Sequence, residues 1–252
     1  MRFIHTHNTN DNTTTTTNNN AIIVQISGDV DEDDFNEERL FMQESSELHY
    51  NISEVLSALF QVNEHVFYGV FLQHWHEIIL NLSHKNCLKE DRQFAFSLIT
   101  DAIEFGLNRS NQDCAASLFS TILPSIIECC NECEDAELSR AAAYAMGIAF
   151  YWHPHASVSY TGSALHALGA CVTRHTRTLQ RLKASAAASS PDESSYEDME
   201  LMTQADVGAC LDNAVATVGI IMEQSLMLKL ELNYTLLLEH WLSHLPLRYD
   251  EV

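Results

Sequence analysis

Glycine and proline are scarce in this chain, with only 8 Gly and 4 Pro among 252 residues. An all-β protein of this length needs a turn about every ten residues, and those turns depend heavily on Gly and Pro. The apolar fraction is nonetheless 46%, and Ala, Leu, Glu and Met are common in the long middle of the sequence. Because these residues have high helix propensity, the composition predicts an all-α fold with a sizeable hydrophobic core.

Basic residues are also few. The 13 Lys and Arg stand against 35 Asp and Glu, which gives a formal net charge of −22. A field of this sign repels the phosphates of nucleic acids and of anionic lipids, and it attracts basic partners. We therefore expect no binding to nucleic acid or to a membrane, and we expect partners that carry positive charge.

The sequence also has few marks of secretion, membrane insertion or catalysis. The apolar stretch AIIVQI at 21–26 is too short for a signal peptide and follows no basic cluster, and we expect no transmembrane helix. Seven Cys without paired spacing indicate reduced thiols in the cytosol or nucleus. No glycine-rich phosphate loop, nucleophile elbow or HExxH motif occurs, so the sequence predicts a protein that is not an enzyme and needs no cofactor.

The chain changes character after its first 28 residues. Residues 1–28 form an Asn/Thr-rich leader with too little apolar surface to offset its ordering entropy, so we predict that it is disordered. Residues 29–252 contain amphipathic segments separated by short polar breaks. The Ser-, Ala- and acid-rich segment 183–204 is predicted to be a loop insertion. Predicted helices span 38–62, 64–83, 89–106, 110–131, 136–152, 157–183, 205–225 and 230–244.

Two of these segments share a pattern that is typical of a structural repeat. DRQFAFSLITDAIE at 91–104 and SRAAAYAMGIAFYW at 139–152 both begin with a polar residue and an Arg, and Arg92 and Arg140 lie 48 residues apart. That period suits a HEAT repeat of two helices. LDNAVATVGIIME at 211–223 fits the same register if 183–204 is an insertion. The sequence therefore predicts an α-α superhelix, that is, a HEAT-repeat solenoid with partial repeats at both ends.

Four stretches in one order also resemble a known family. DRQFAFSLITDAIEFG, AELSRAAAYAMGIAF, LDNAVATVGIIM and LLLEHWLSHLPLRYDE look like consecutive stations in the C-terminal half of the importin-β superfamily, closest to importin-5-type nuclear import receptors. The likeness covers about residues 29–252. The loop at 183–204 is longer than the family's, and SHKNCLKE replaces the tryptophan-containing stretch that is usual before the first station.

The resemblance implies a function and a location. A receptor of this kind binds cargo proteins with a basic nuclear-localisation signal and shuttles between cytoplasm and nucleus. Ran-GTP and FG-nucleoporins would be partners of the intact receptor, but nothing here resembles the N-terminal repeats on which Ran binding mainly depends. We expect this chain alone to bind Ran weakly or not at all.

Carboxylates on the inner helices are the candidate cargo contacts. In the HEAT convention the helices at 38–62, 89–106, 136–152 and 205–225 would line the concave side. Asp101 and Glu104 lie three residues apart on one face of a predicted inner helix. Asp212 and Asn213 match the acid–Asn pair that the family has at the corresponding station. Carboxylates and amides of this kind can bind extended Lys/Arg-rich segments, although each of these residues could equally be an ordinary solvated or inter-repeat side chain.

Two alternatives remain open at this stage. The chain could be a HEAT-repeat scaffold of a multiprotein complex that does not serve transport. Cys129, Cys130 and Cys133, followed by His153 and His155, suggest a metal site. Their spacing lacks the paired ligand units that are typical of zinc sites, so the sequence favours ordinary helix cysteines and no metal.

Overall fold

The computed structural model describes residues 32–62, 69–71, 73–106, 112–188 and 194–245. The predicted disordered leader, 1–28, lies outside the described residues. The chain divides into two compact units, Met1–Phe41 and Met42–Val252. The described part of the first unit is the beginning of a single helix, and all other described elements belong to the second unit.

All described secondary structure is helical, so the predicted all-α class is confirmed for these residues. The bounds of the longer helices are α1 Glu32–Val62, α2 His76–Leu82, α3 Lys89–Asp101, α4 Gln112–Glu132, α5 Ala136–Trp152, α7 Thr161–Ala188, α8 Ser194–Met227 and α9 Tyr234–Leu242. A π-helical turn, Ala102–Gly106, extends α3. The short helix α6, Pro154–Ser157, and a 3-10 turn, Val158–Tyr160, lead into α7.

Helices of the second unit pack in two rows. One row contains α3, α5 and α8, in which α5 contacts both of its neighbours. The other row contains α4 and α7, which contact each other. Across the rows, α2 packs on α3, α4 on α5, and both α7 and α9 on α8. Consecutive helices therefore alternate between the rows, as they do when helical hairpins stack side by side.

Small side chains allow the first row to pack closely. Ala142, Ala143 and Ala145 on α5 are fully buried. A Cβ atom added to Gly147 would lie 2.8 Å from Thr217 Oγ1 on α8, and that hydroxyl donates a hydrogen bond to the carbonyl oxygen of Ala143 at 2.9 Å. Because no larger residue fits at Gly147, the sequence at this crossing determines how near α5 and α8 lie.

Local signals explain several helix ends. Asp135 precedes α5, and its carboxylate accepts a hydrogen bond from the amide of Leu138, which satisfies one free donor of the first turn. Asn233 caps α9 in the same way through the amide of Leu236. The predicted helix 64–83 is interrupted, because Trp75 forms a turn between the helical residues 73–74 and the start of α2.

The loop insertion predicted at 183–204 is wrong for most of its length. Residues 183–188 belong to α7 and residues 194–204 belong to α8, which leaves 189–193 between them. The Ala-rich end of α7 and the Glu- and Met-containing start of α8 have high helix propensity, which outweighs the Ser residues that suggested a loop. Pro191, the strongest helix breaker of the segment, falls between the two helices.

One helical stretch, Thr203–Met227 within α8, is long and apolar enough to cross a membrane by length and composition. Of its most apolar window, 56% is buried inside the fold, where α8 packs against α5 and α7. The central helices of water-soluble proteins meet the same criterion. Its apolar character therefore matches its place in the core of the second unit.

Candidate functional site

A groove lies between α1 and α3 on the row that sequence analysis predicts to be the inner one. It has a volume of about 410 Å³. We call it the first groove, and it is lined by His49, Tyr50, Ser53, Glu54, Ser57, Glu90, Gln93, Phe94, Ser97 and Asp101. Among these described residues are three carboxylates, several hydroxyls and the rings of His49, Tyr50 and Phe94, but no Lys or Arg. The lining therefore offers hydrogen-bond acceptors and negative charge to a basic ligand.

Asp101 is the carboxylate most affected by this groove. Burial, together with the nearby charges of Glu104 and Glu54, raises its pKa from 3.8 to about 6. A hydrogen bond with the Ser57 hydroxyl acts in the opposite direction because it stabilises the ionised form. No Lys or Arg among the described residues lines this groove, so the partly buried carboxylate would gain from a positively charged partner.

A second groove of about 220 Å³ continues along the same row, between α3, α5 and α8. We call it the second groove, and it is lined by Gln93, Glu137, Arg140, Ala141, Tyr144, Asp206 and Asn213. Gln93 lines both grooves, so they are neighbours on one surface. The second groove is less acidic, because Arg140 belongs to its lining and Lys89 pairs with Glu137 and, at 2.9 Å, with Asp135.

The four predicted cargo contacts fall in different places. Asp101 lines the first groove and Asn213 lines the second. Glu104 lies on the π-helical turn after α3, where partial burial raises its pKa. Asp212 is a buried residue of α8, with only 6% of it exposed. Adjacent helix positions point about 100° apart, which agrees with Asn213 lining the second groove while Asp212 is buried.

Sequence reasoning missed several groove residues on α1. His49 stacks on Phe94 with ring centroids 4.6 Å apart and lies 3.7 Å from an Asp91 carboxylate oxygen. Glu54 and Ser57 follow on the same helix and line the first groove with Asp101. Tyr50, Glu54 and Ser57 follow one another at steps of four and three residues. This spacing could have indicated a polar face on the helix.

The opposite row has a basic surface. Arg174, Arg177 and Arg181 on α7 line a groove of about 740 Å³ together with His166 and His240. Arg174 is already engaged, since its guanidinium donates to the carbonyl oxygens of Cys130, Asn131 and Cys133, the last at 2.8 Å. It thereby satisfies the free carbonyls at the C-terminal end of α4.

A buried group of potential metal ligands lies between α7 and α8. It consists of Cys171, His175 and Cys210, whose ligand atoms all lie within 4.8 Å of one another. The two sulfur atoms are 3.9 Å apart. The hydrogen bond from Cys210 lowers the pKa of Cys171 to about 5, with help from His175 and Arg174, whereas the pKa of Cys210 is raised.

The metal ligands suggested by the sequence do not form such a group in the described structure. Cys129 and Cys133 lie near the end of α4, where a hydrogen bond from Cys129 lowers the pKa of Cys133 to about 6. His153 is buried elsewhere, edge-on to the ring of Phe119. The pattern that could have found the buried group is Cys171-x3-His175, because residues four apart share one face of a helix.

Comparison of the chain with protein-family models, with curated proteins and with solved structures found no match in any of the three.

Proposed function

We propose that this chain is a segment of a nuclear import receptor of the importin-β kind, which binds a Lys/Arg-rich segment of its cargo along the two acidic grooves. On this proposal the two rows of helices are the layers of an α-α superhelix, and the row of α3, α5 and α8 is the inner layer. The resemblance of four ordered sequence stations supplies the transport part of the proposal. The chemistry of the grooves supplies the class of ligand.

The main support for the proposal is that the first and second grooves form one continuous surface, because Gln93 lines both of them. It combines carboxylates, which attract Lys and Arg, with side-chain amides, which can pair with the backbone of an extended peptide. The rings of Phe94 and Tyr144 lie on the same surface and can stack on a guanidinium or an alkyl chain. An acidic surface without amides or rings would attract cations but would not position a peptide.

Asp101 adds an energetic argument. An ionised carboxylate in a partly buried place reduces the stability of the folded chain. The raised pKa of Asp101 expresses this cost, because it shows that folding disfavours the ionised form. A Lys or Arg side chain that enters the first groove would remove this cost by supplying the missing countercharge. Groups held at a cost to stability are more common at binding sites than elsewhere on a protein surface.

Fluorescence anisotropy with a labelled Lys/Arg-rich peptide tests this proposal at physiological salt. The groove variant is the triple substitution Glu54→Gln, Asp101→Asn and Asp206→Asn. We expect it to weaken binding at least about tenfold, or about 1.4 kcal/mol. The matched control replaces three exposed carboxylates outside the grooves, Glu223→Gln, Glu231→Gln and Glu239→Gln, and it changes the net charge equally.

The control distinguishes binding by the groove side chains from attraction by the overall negative charge of the protein. Saturable binding that the groove variant loses and the control retains supports the proposal. Equal weakening in both variants contradicts it, because long-range attraction by a net charge of −22 would then account for all binding. A peptide that fails to bind the unmodified chain at physiological salt also contradicts it.

A scaffold function is the second candidate, and the basic groove of α7 favours it. Exposed Arg177 and Arg181 lie on the row opposite to the acidic grooves, and they offer a site for an acidic surface of a folded subunit. Substitution of both by Ala would then reduce binding of that subunit while basic-peptide binding stays unchanged. In an import receptor, binding of a basic peptide should instead depend on the carboxylates of the grooves and not on Arg177 and Arg181.

A further inference from the structure

The group formed by Cys171, His175 and Cys210 is independent of the acidic surface. Cys171 and His175 are one helical turn apart on α7, so both side chains point to the same side. Cys210 approaches from α8, and all three residues have no exposed surface. Two helices that are distant in sequence thus bring together three side chains that are good ligands for a soft or borderline metal ion.

The separation of the sulfur atoms fits a shared zinc ion. Zinc–sulfur bonds of about 2.3 Å at a tetrahedral angle hold two sulfur ligands about 3.8 Å apart. The observed distance between Cys171 Sγ and Cys210 Sγ is 3.9 Å. A disulfide bond would require about 2.05 Å, so the two cysteines are not bonded to each other, and both are free thiols.

The imidazole of His175 provides a second, independent observation. Both of its ring nitrogens are buried, and neither makes a hydrogen bond of normal geometry with any described residue. A buried polar atom without a partner costs stability, and native proteins rarely tolerate one without a reason. The ring is close enough to Cys171 to lower the pKa of its thiol but makes no hydrogen bond of normal geometry, and coordination of a metal ion by one nitrogen would satisfy that nitrogen.

Charge balance decides between metal ions. Two thiolates and a neutral imidazole compensate the charge of Zn²⁺ completely, whereas Cu⁺ in the same site would leave one negative charge in the core. Cys130 on α4 is fully buried and interacts electrostatically with both Cys171 and Cys210. Burial raises the pKa of the Cys130 thiol well above its ordinary value, so Cys130 stays neutral beside the group and leaves this charge balance unchanged.

We propose that Cys171, His175 and Cys210 bind one Zn²⁺ ion that holds α7 and α8 together. The two thiols release their protons to solvent as the ion binds, and no oxidant or reductant takes part. The ion links the two long helices that flank residues 189–193, where the chain between them contains Pro191. It is a structural site, since its ligands are all buried.

The test uses the full chain, stripped of metal with a chelator under reducing conditions and then titrated with Co²⁺. Co²⁺ reports its ligands through visible absorption bands that are intense in tetrahedral geometry and a near-ultraviolet band from thiolate charge transfer. We expect one equivalent to bind with both features, and Zn²⁺ to displace it. Zn²⁺ should also raise the melting temperature of the unmodified chain.

Variants assign the ligands. Cys171→Ser and His175→Asn should each lose most of the Co²⁺ signal and the Zn²⁺-dependent rise in melting temperature. Cys87→Ser is the matched control, because Cys87 is a free cysteine outside the group and should behave like the unmodified chain. Circular dichroism without metal shows whether each variant is folded.

Three outcomes overturn the proposal, and two of them need no variant. The first is a folded, reduced, unmodified chain that binds neither Co²⁺ nor Zn²⁺ stoichiometrically. The second is a disulfide between Cys171 and Cys210 in the protein isolated from cells, found by peptide mapping without reduction. The third is a Co²⁺ spectrum that remains unchanged in folded Cys171→Ser.

Discussion

At the scale of single residues, Asp101 links stability with binding. Its carboxylate lies in the first groove, where burial outweighs the hydrogen bond from Ser57 and raises the pKa to about 6. The unfolded chain restores a value near 3.8, so the folded state holds the proton more tightly. Stability from this group is therefore present at low pH and is lost as the pH rises from about 4 to about 6.

The substitution Asp101→Asn should stabilise the chain at neutral pH. At pH 7 the native carboxylate is ionised against its environment, and an amide of the same shape removes that charge while its oxygen can still accept from Ser57. Because the group stays partly exposed, we expect only about 1 kcal/mol in the free energy of unfolding. Urea unfolding at pH 7 and near pH 4 measures the gain, which should vanish at the lower pH.

The control for this prediction is Asp206→Asn, which removes one charge from the second groove instead. It should change the free energy of unfolding by less than Asp101→Asn at pH 7, since Asp206 lies on the surface of that groove. A gain of equal size in both variants would show that relief of the overall negative charge, rather than burial of Asp101, is responsible.

Sequence patterns predicted residue types better than residue environments. Asp101 and Asn213 line grooves, but the same argument selected Asp212, which is buried. Helix periodicity gives the angle between neighbouring side chains on one helix. It does not show which of those side chains packs against the adjacent helices and which faces solvent. The buried group of Cys171 and Cys210 was missed because it joins positions 39 residues apart, which only the packing of α7 on α8 brings together.

At the scale of helices, the apolar period predicted most elements well. The expected helix 136–152 has the same bounds as α5, and 89–106 matches α3 with its π-helical turn. These segments have clear start signals and strong periodicity. The failure at 183–204 has a physical cause, because Ser lowers helix propensity only slightly while a run of Ala raises it.

Substitution of two glycines should have effects of opposite sign on the helix rows. Gly147→Ala places a methyl group 2.8 Å from Thr217 Oγ1, so it breaks the bond to Ala143 or pushes α8 away from α5. We expect a loss of about 1–3 kcal/mol in the free energy of unfolding. Gly169→Ala meets no atom within 4 Å in α7 and should gain up to about 1 kcal/mol from helix propensity.

Chemical denaturation of both variants and of Thr217→Ala tests the packing argument. Thr217→Ala removes the hydroxyl and the methyl group that an added Cβ at position 147 would meet, so Gly147→Ala should cost less in that background than in the native one. The interpretation of a tight crossing between α5 and α8 is wrong if Gly147→Ala and Gly169→Ala shift the urea midpoint in the same direction by similar amounts.

At the scale of the whole molecule, the net charge of −22 and the grooves play different roles in binding. The net charge acts over distances near the Debye length, about 8 Å at physiological salt, and raises the encounter rate with any basic molecule. The grooves act at contact distance through side chains such as Asp101 and Gln93. Salt should therefore weaken the first contribution much more than the second.

Binding of a basic peptide should consequently weaken as the pH falls through about 6. Below that value Asp101 takes up a proton in the free protein, so the first groove loses a charge that a Lys or Arg would otherwise meet. Anisotropy titrations from pH 7.5 to 5 with a peptide that lacks His, Asp and Glu measure the change, because only the protein then titrates.

The variant Asp101→Asn should bind more weakly at pH 7.5 and lose most of this pH dependence. Glu54, Glu90 and the imidazole of His49 face the same groove, so His49→Gln is the necessary comparison. Loss of the pH dependence in His49→Gln but not in Asp101→Asn would assign it to repulsion by the protonated imidazole. A pH dependence that survives in both variants would place the titrating group outside the first groove, and the groove could then no longer be regarded as the main contact for the peptide.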